Sequence, residues 1–412
     1  MRKTSVLIIG NGHYATGLTT LSDTRKTDKD SGVLLPSALA LQAAGLIEQI
    51  GIAARDGGKL LRLKGRLASW KEKFGWSDKL KFFPHDGQTD EKAYVRALSA
   101  MPKPCVALIA VPDFLHKEVM LACISQGVPF LIVKPALIRL EDLYEVLQEM
   151  EKKSIFGMVD YHKVFDEANI LLKNEYQAGD YGKLHHAYSL MTQRRDMLDV
   201  YKRWIEMDAR LNINHYLGSH YIHLTGFITG AEPIDVRATA QYGLAADFFK
   251  RNVADVIETQ IRWKDITGKI FTSYHISGWS DPHETESMTY QEIHLLCEKG
   301  HIDSDQRYRG FRKILSGGGY EVPNPHFFNL SLNHFGNVNL NTKYGFISIK
   351  TFIETAIQLQ EGKRTLIELD SLLPTLRDSE KVTAILEAAD HSLANNSKIV
   401  EIIRHNGSYV IK

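Results

Sequence analysis

The chain has 412 residues, 44% of them hydrophobic and 24% charged, with a formal net charge of +1. That balance is the one of an ordinary globular protein, and with no long basic block neither nucleic acid nor a membrane surface is an expected partner. The length favours two domains, and three cysteines, none in a CxxC pair, argue against a disulfide framework and for a cytoplasmic setting.

In chain order, residues 5–9 form a short apolar run that reads as a strand. It leads into Gly10-Asn11-Gly12-His13-Tyr14-Ala15, a match to the G-x-G-x-x-G/A dinucleotide-binding turn. There the first glycine permits the turn, the second lets the backbone approach a pyrophosphate, and a small third residue lets helix pack on strand. The apolar start is too short for a signal peptide, and no segment is long and apolar enough to span a bilayer. Residues 22–32 are polar and charged and look like an inserted loop. A helical pattern follows over 34–44, then a strand over 47–54 that ends on Arg55-Asp56. At this position an acidic residue suits a free ribose 2′-hydroxyl, and an arginine suits a 2′-phosphate. The dipeptide offers both; Arg55 leans towards NADP, and a solvent-facing turn is an equally good reading.

Helices are expected over 59–74 and 91–100. Residues 106–135 then form one unit: a buried strand at 106–111, a helix over 113–126 stopped by Gly127, and a second buried strand ending on Lys134-Pro135. This is a βαβ crossover, and ligands of open α/β sheets bind beyond the carboxyl ends of the strands. Lys134 sits at such an end, held extended by the proline after it. A helix (141–153) and a strand (154–159) complete an alternating pattern, which reads as a doubly wound parallel sheet over residues 1–160.

Beyond residue 160 the texture changes. A helix at 167–177 precedes strands at 184–191, 236–242, 256–263, 269–278, 292–297 and 301–303, and helices close the chain at 344–361 and 379–395. Strands without intervening helices point to a mostly antiparallel open sheet, so residues 161–412 read as an α+β domain. Residues 316–319 read as a flexible loop.

Together these segments resemble the Gfo/Idh/MocA family (glucose–fructose oxidoreductase, inositol dehydrogenase, MocA). The likeness rests on GNGHYA, on the 106–135 unit, on Asp160-Tyr161-His162-Lys163-Val164-Phe165, and on Gly218-Ser219-His220-Tyr221-Ile222-His223. FIETAIQLQEGKR and LEAADHSLANNSKIVEI near the end add to it. The resemblance implies an NAD(P)-dependent oxidoreductase acting on a sugar, polyol or sugar acid, working as a homodimer or homotetramer built through the open face of the C-terminal sheet. It also implies that Lys134 is the catalytic lysine and that His220 is the histidine of the family's D-x-G-x-H-x-x-D pattern. Tyr216 and His223 stand where that pattern has aspartates, and Val133 replaces the commoner glutamate before the lysine. Cofactor contacts are implied for Gly10, Gly12, His13, Tyr14, Ala15, Val111, Pro112, His116 and Lys134, with Arg55 and Asp56 at the ribose.

The residues themselves support that chemistry. Oxidising a secondary alcohol needs a base for the hydroxyl proton, and the reverse needs an acid; a lysine can do either. Helical spacing puts Tyr216, His220, His223 and Phe227 on one stripe. His220 is therefore expected as proton relay or hydrogen-bond partner of the hydroxyl and Tyr216 as its orienter, although a core histidine is the blander reading. The resemblance makes Tyr161 and Lys163 candidate substrate contacts, with an ordinary hinge as the alternative. His223 is a further candidate, as is Arg195 in a basic cluster with Gln193, Arg194, Lys202 and Arg203 that more often reads as solvated surface. Asp113 reads equally well as a helix cap or a cofactor contact. No metal site is expected, since H-E-x-x-H is absent and His215 points away from the His220 stripe. Two other functions share this fold: a dinucleotide sensor without turnover, and a lyase or glycosidase using bound NAD(P) transiently.

Overall fold

The computed structural model describes residues 3–18, 30–85, 87–316 and 319–412. Most of the polar 22–32 insertion and the middle of the 316–319 loop lie outside the described residues.

Six strands, β1 (Thr4–Ile9), β2 (Ile47–Ala53), β3 (Lys81–Phe83), β4 (Cys105–Ile109), β5 (Phe130–Ile132) and β6 (Gly157–Val159), form a parallel sheet in the order β3-β2-β1-β4-β5-β6. Strand β1 shows why the sheet is buried on both sides. Its side chains alternate, Leu7 and Ile9 entering one core and Val6 and Ile8 the other. The order reverses direction between β1 and β4, so the carboxyl ends of those two strands flank a crevice. Strand β3 was not apparent in the sequence; it is three residues long at the sheet edge.

The second sheet has eight strands: β7 (Leu184–Arg194), β8 (Glu232–Gln241), β9 (Val256–Lys264), β10 (Ile270–Asp281), β11 (Thr289–Cys297), β12 (Gly300–Asp305), and, after the hairpin β13 (Lys313–Leu315) and β14 (Gly319–Glu321), β15 (Val400–His405) and β16 (Ser408–Ile411). Their order is β12-β11-β7-β10-β9-β8-β15-β16, antiparallel throughout except for the parallel pair β7–β10. The last two strands were missed in the sequence because they lie beyond the closing helix, where no texture change marks them.

Helices cover one face of this sheet, and the chain then returns to the first. Helix Tyr344–Gln360 buries Phe352 against Phe156, with ring centroids 5.6 Å apart. Segment 374–376 hydrogen-bonds along the edge of β6, the Leu376 amide donating to the Gly157 carbonyl at 2.9 Å. Residues 344–376 thus complete a layer begun by residues 34–74, so a division at residue 160 separates the two sheets but not the two cores.

Candidate active site

The glycine turn is backbone-determined. Gly10 has φ +107, a region that side chains rarely tolerate, and a Cβ there would lie 2.1 Å from the Ala110 carbonyl oxygen. At Gly12, by contrast, a Cβ would meet nothing within 4 Å, which leaves the backbone open on that side. A one-turn helix, His13–Thr16, follows. Both glycines suit the close approach of a dinucleotide pyrophosphate, so this cradle fits such a cofactor.

Across from it lies a cleft of about 980 Å³, its open mouth included. Gly12, His13, Tyr14, Ala15, Val111, Asp113, Lys134 and Asp160 line one wall, and Tyr216 and His220 reach it from the C-terminal half. Lys134 follows β5, with its Nζ 3.9 Å from the centroid of the Tyr216 ring and donating to the Tyr216 carbonyl. A cation over an aromatic face is held by the ring quadrupole. Tyr216 itself belongs to a π-helical turn, Asn214–Gly218, that precedes helix Ser219–Thr229. Asn212 Oδ1 accepts from the amides of Asn214 (3.0 Å) and His215 (3.2 Å), and the His215 imidazole sits 3.1 Å from the Asp390 carboxylate, pinning the turn. At Gly218 a Cβ would lie 2.0 Å from Asn214 Oδ1, so a larger residue there would have to displace the Asn214 side chain.

The expected stripe divides between His220 and His223, within the regular helix. Tyr216 and His220 face the cleft, but His223 does not: its ring stacks on Tyr161 (3.8 Å, 7° between planes) and its Nε2 lies 2.7 Å from Asp378 Oδ2. Phe227 lies under the amine of Lys173 at 4.2 Å. Segment 160–163 divides in the same way. Asp160 and His162 line the cleft, while Tyr161 is stacked behind it and Lys163 points into the second domain. The Lys163 amine donates to Gln291 Oε1 (2.8 Å) and to Gln306 Oε1. Sequence reading named Tyr161 and Lys163; the tight bend at Tyr161 and the 3₁₀ turn His162–Phe165 that follows it put Asp160 and His162 on the cleft side instead.

Asp160 is buried and bridges the walls, accepting from the Tyr14 hydroxyl and from Ser348 Oγ (2.6 Å). Burial, and then Asp160, raise the Tyr14 phenol well above its usual pKa, so it stays protonated as a donor. Burial likewise raises the carboxyl of Asp113, partly offset by His116 and Lys134. Asp113 opens a short 3₁₀ turn, Asp113–Leu115, without capping it through its side chain.

Other expected contacts lie elsewhere. Val111 lines the cleft, but Pro112 does not. His116 is fully buried: Nδ1 lies 3.0 Å from the Pro135 and Ala136 carbonyls, and Nε2 lies 3.0 Å from the Val111 carbonyl, bracing the loops after β4 and β5. Asp56 caps helix Gly57–Phe74, accepting from the amides of Gly58 (2.9 Å) and Lys59 (3.3 Å). Arg55 is half-exposed, 3.9 Å from Glu91. Arg195 is exposed outside the cleft, and Arg194 is spent on Asp196. The basic cluster is thus no anion site among the described residues. Lys202 and Arg203 belong to an amphipathic helix, Leu198–Met207, whose inner face sends Val200, Tyr201 and Trp204 into the cleft. The apolar spacing of Leu198, Tyr201 and Ile205 was the available signal, hidden among the charges. Among the described residues no group of three or more His, Cys, Asp or Glu is placed to hold a metal, and no helix is long and apolar enough to cross a membrane.

Residues 5–161 match the family model described as "Oxidoreductase family, NAD-binding Rossmann fold", GFO_IDH_MocA. That match spans the first of the two sheets and its helices. No curated protein matches the sequence. Solved structures share the fold of the whole chain. Myo-inositol 2-dehydrogenase from Lactobacillus plantarum superposes with a TM-score of 0.69 at 14% identity, over 98% of this chain and 100% of that one. Scyllo-inositol dehydrogenase from Lactobacillus casei, with bound NAD(H) and scyllo-inositol, gives 0.67 at 11%, over 97% and 99%. GenD2 from gentamicin A biosynthesis, in complex with NAD, gives 0.68 at 15%, over 98% and 97%. The fold of these proteins therefore runs through both halves of the chain.

Proposed function

We propose that the chain is an NAD(P)-dependent dehydrogenase or reductase that interconverts a secondary alcohol and a ketone on a sugar, polyol or sugar-acid derivative. The observation that carries this reading is that the Lys134 amine and the His220 imidazole line the same cleft as the glycine turn. When bound, the nicotinamide supplies the hydride acceptor or donor. Lys134 takes or returns the hydroxyl proton at Nζ. Its contacts with the Tyr216 ring and carbonyl hold the amine at the cleft face, a task given to an aspartate in the family pattern. His220 hydrogen-bonds the same hydroxyl, and the protonated Tyr14 and Asp160 keep the wall beneath it rigid. Substrate contacts from Tyr161, His223 and Lys163 are indirect, through the packing behind His162 and His220.

The NADP lean rests on Arg55: the Asp56 carboxylate is engaged by the helix amides, whereas the guanidinium is half-exposed at the strand tip. A homodimer or homotetramer is supported by the open face of the second sheet. There Tyr188 and Leu190 of β7 register with Tyr274 and Ile276 of β10, all half-buried. A cytoplasmic location completes the proposal.

The test is direct. Purified protein is titrated with NAD(H) and NADP(H) by fluorescence, then assayed at 340 nm with a panel of polyols and sugars. Stoichiometric absorbance change is the expected result. Cofactor binding without absorbance change across the panel points to a sensor, and product without net cofactor consumption points to transient redox.

A further inference from the structure

The wall facing the glycine turn is the wrong chemistry for a bare polyol. It is made by Met191 at the end of β7, Met197, Val200, Tyr201 and Trp204 from the segment that follows, and Met288 before β11. Met191, Met197, Tyr201 and Met288 are each less than a tenth exposed, so they are packed in place. Tyr201 is clamped by rings on three sides, 4.4 Å from Tyr216, 5.2 Å from Trp204 and 5.7 Å from Trp279. The polar residues of the same helix, Asp199, Lys202 and Glu206, all face outwards. A hydroxyl pressed against thioethers and ring faces loses water without gaining a partner, and a polyol would bring one on every carbon.

Two polar side chains interrupt this surface, Thr289 and Gln193, which lie opposite each other in the β7–β11 pairing. Gln193 is 1% exposed and lines the cleft, and its Oε1 has no hydrogen-bond partner among the described residues. A buried amide oxygen left without a donor is costly, and a ligand donor would relieve it.

We propose that the substrate presents an apolar ring to this wall: a sugar or polyol alcohol bearing an aryl or cyclic-hydrocarbon substituent, with a hydrogen-bond donor beside it for Gln193. The inference rests on the dehydrogenase reading for which carbon reacts, but the recognition it describes is separable from turnover. The reacting carbinol lies against Lys134 and His220, and the ring lies between Met288 and the Tyr201–Trp204 face. Methionine suits this position, being flexible and polarisable enough to fit a flat ring.

The probes are phenyl β-glucoside and methyl β-glucoside, identical in every hydroxyl and differing only in the apolar ring. Binding is measured calorimetrically on protein saturated with NADH, and turnover of the same pair is followed at 340 nm with the oxidised cofactor. The phenyl compound is expected to bind roughly tenfold tighter or more, the scale on which apolar pockets discriminate. Met288→Gln and Trp204→Ala are each expected to move that ratio towards one, and Gln193→Leu to weaken the phenyl compound. Equal affinities, a tighter methyl compound, or binding of neither overturns the proposal. Preferential phenyl binding with no absorbance change leaves it standing while the dehydrogenase reading falls. Turnover of both at equal kcat/KM does the reverse.

Discussion

On the N-terminal wall of the cleft, Gly12, Lys134 and Asp160 each sit just beyond the carboxyl end of a parallel strand, and their positions follow from local backbone geometry. On the opposite wall, Met191, Met197, Trp204 and Met288 come from separate segments brought together by the antiparallel sheet and an amphipathic helix. The first wall fits a common cofactor, and similar turns recur wherever that cofactor is bound. The second is free to vary, because substrate specificity is carried by segments set on a common scaffold. One fold thereby keeps a fixed half-site and a changeable one.

The sharpest way to break the comparison is at the fixed wall. Gly10→Ala forces a Cβ against the Ala110 carbonyl at a backbone angle that disfavours it. Strain and overpacking together should cost about 2–6 kcal/mol. The expected outcome is lost cofactor binding and a lowered denaturation midpoint; unchanged NAD(H) affinity would show that the turn is not backbone-determined. Lys134→Ala is expected to reduce turnover about 10²–10⁴-fold, the usual contribution of a positioned acid or base. Cofactor affinity, followed by fluorescence, should persist, so the pair separates scaffold from chemistry. Full activity in the lysine variant would remove Lys134 as the proton carrier.

Arg55→Ala probes the rim of the same wall. It should weaken NADP more than NAD by about 1.5–3 kcal/mol, the worth of a charged hydrogen bond. Equal loss for both cofactors would assign the ribose to Asp56 or to the backbone.

These differences also account for what the sequence made legible. The centre of the parallel sheet could be read because both of its faces are buried and β1, β4 and β5 are apolar runs between helical patterns. Gly10, Gly12 and Lys134 could be read because motif and strand end coincide. Asp160 and His162 were passed over for their neighbours because nothing in a single sequence marks the bend at Tyr161 and the 3₁₀ turn after it, which decide the side chains that face the cleft. The stripe from Tyr216 to Phe227 divides between His220 and His223, which three residues of regular helix leave about 60° apart around the axis. Met191, Met197 and Met288 carry no local signal, since methionine is ordinary core material until a fold gathers several on one surface.

A smaller effect tests whether the two halves also differ in acid. His275 on β10 lies inside the second sheet, Nδ1 2.7 Å from Ser189 Oγ and Nε2 2.8 Å from Ser273 Oγ, which accepts from Trp263 Nε1 at 2.7 Å. Burial lowers its pKa to about 3. An unfolded histidine takes up a proton near its usual pKa of about 6.5, so between there and 3 the unfolded state binds a proton that the native state does not. Stability from the neutral imidazole is complete above that range and is lost as pH falls, by about 1.4 kcal/mol per pH unit. His275→Gln retains hydrogen-bonding groups but cannot titrate. Between pH 6 and pH 5 the parent chain should therefore lose about 1 kcal/mol more than the variant in urea unfolding. Strands β7 and β10 pair alongside this histidine and carry Met191 near the cleft, so the same acidification should loosen the substrate wall before the cofactor wall. Calorimetry of phenyl β-glucoside and of NADH across that pH range reads the two walls separately. Parallel losses would mean that they unfold as one unit.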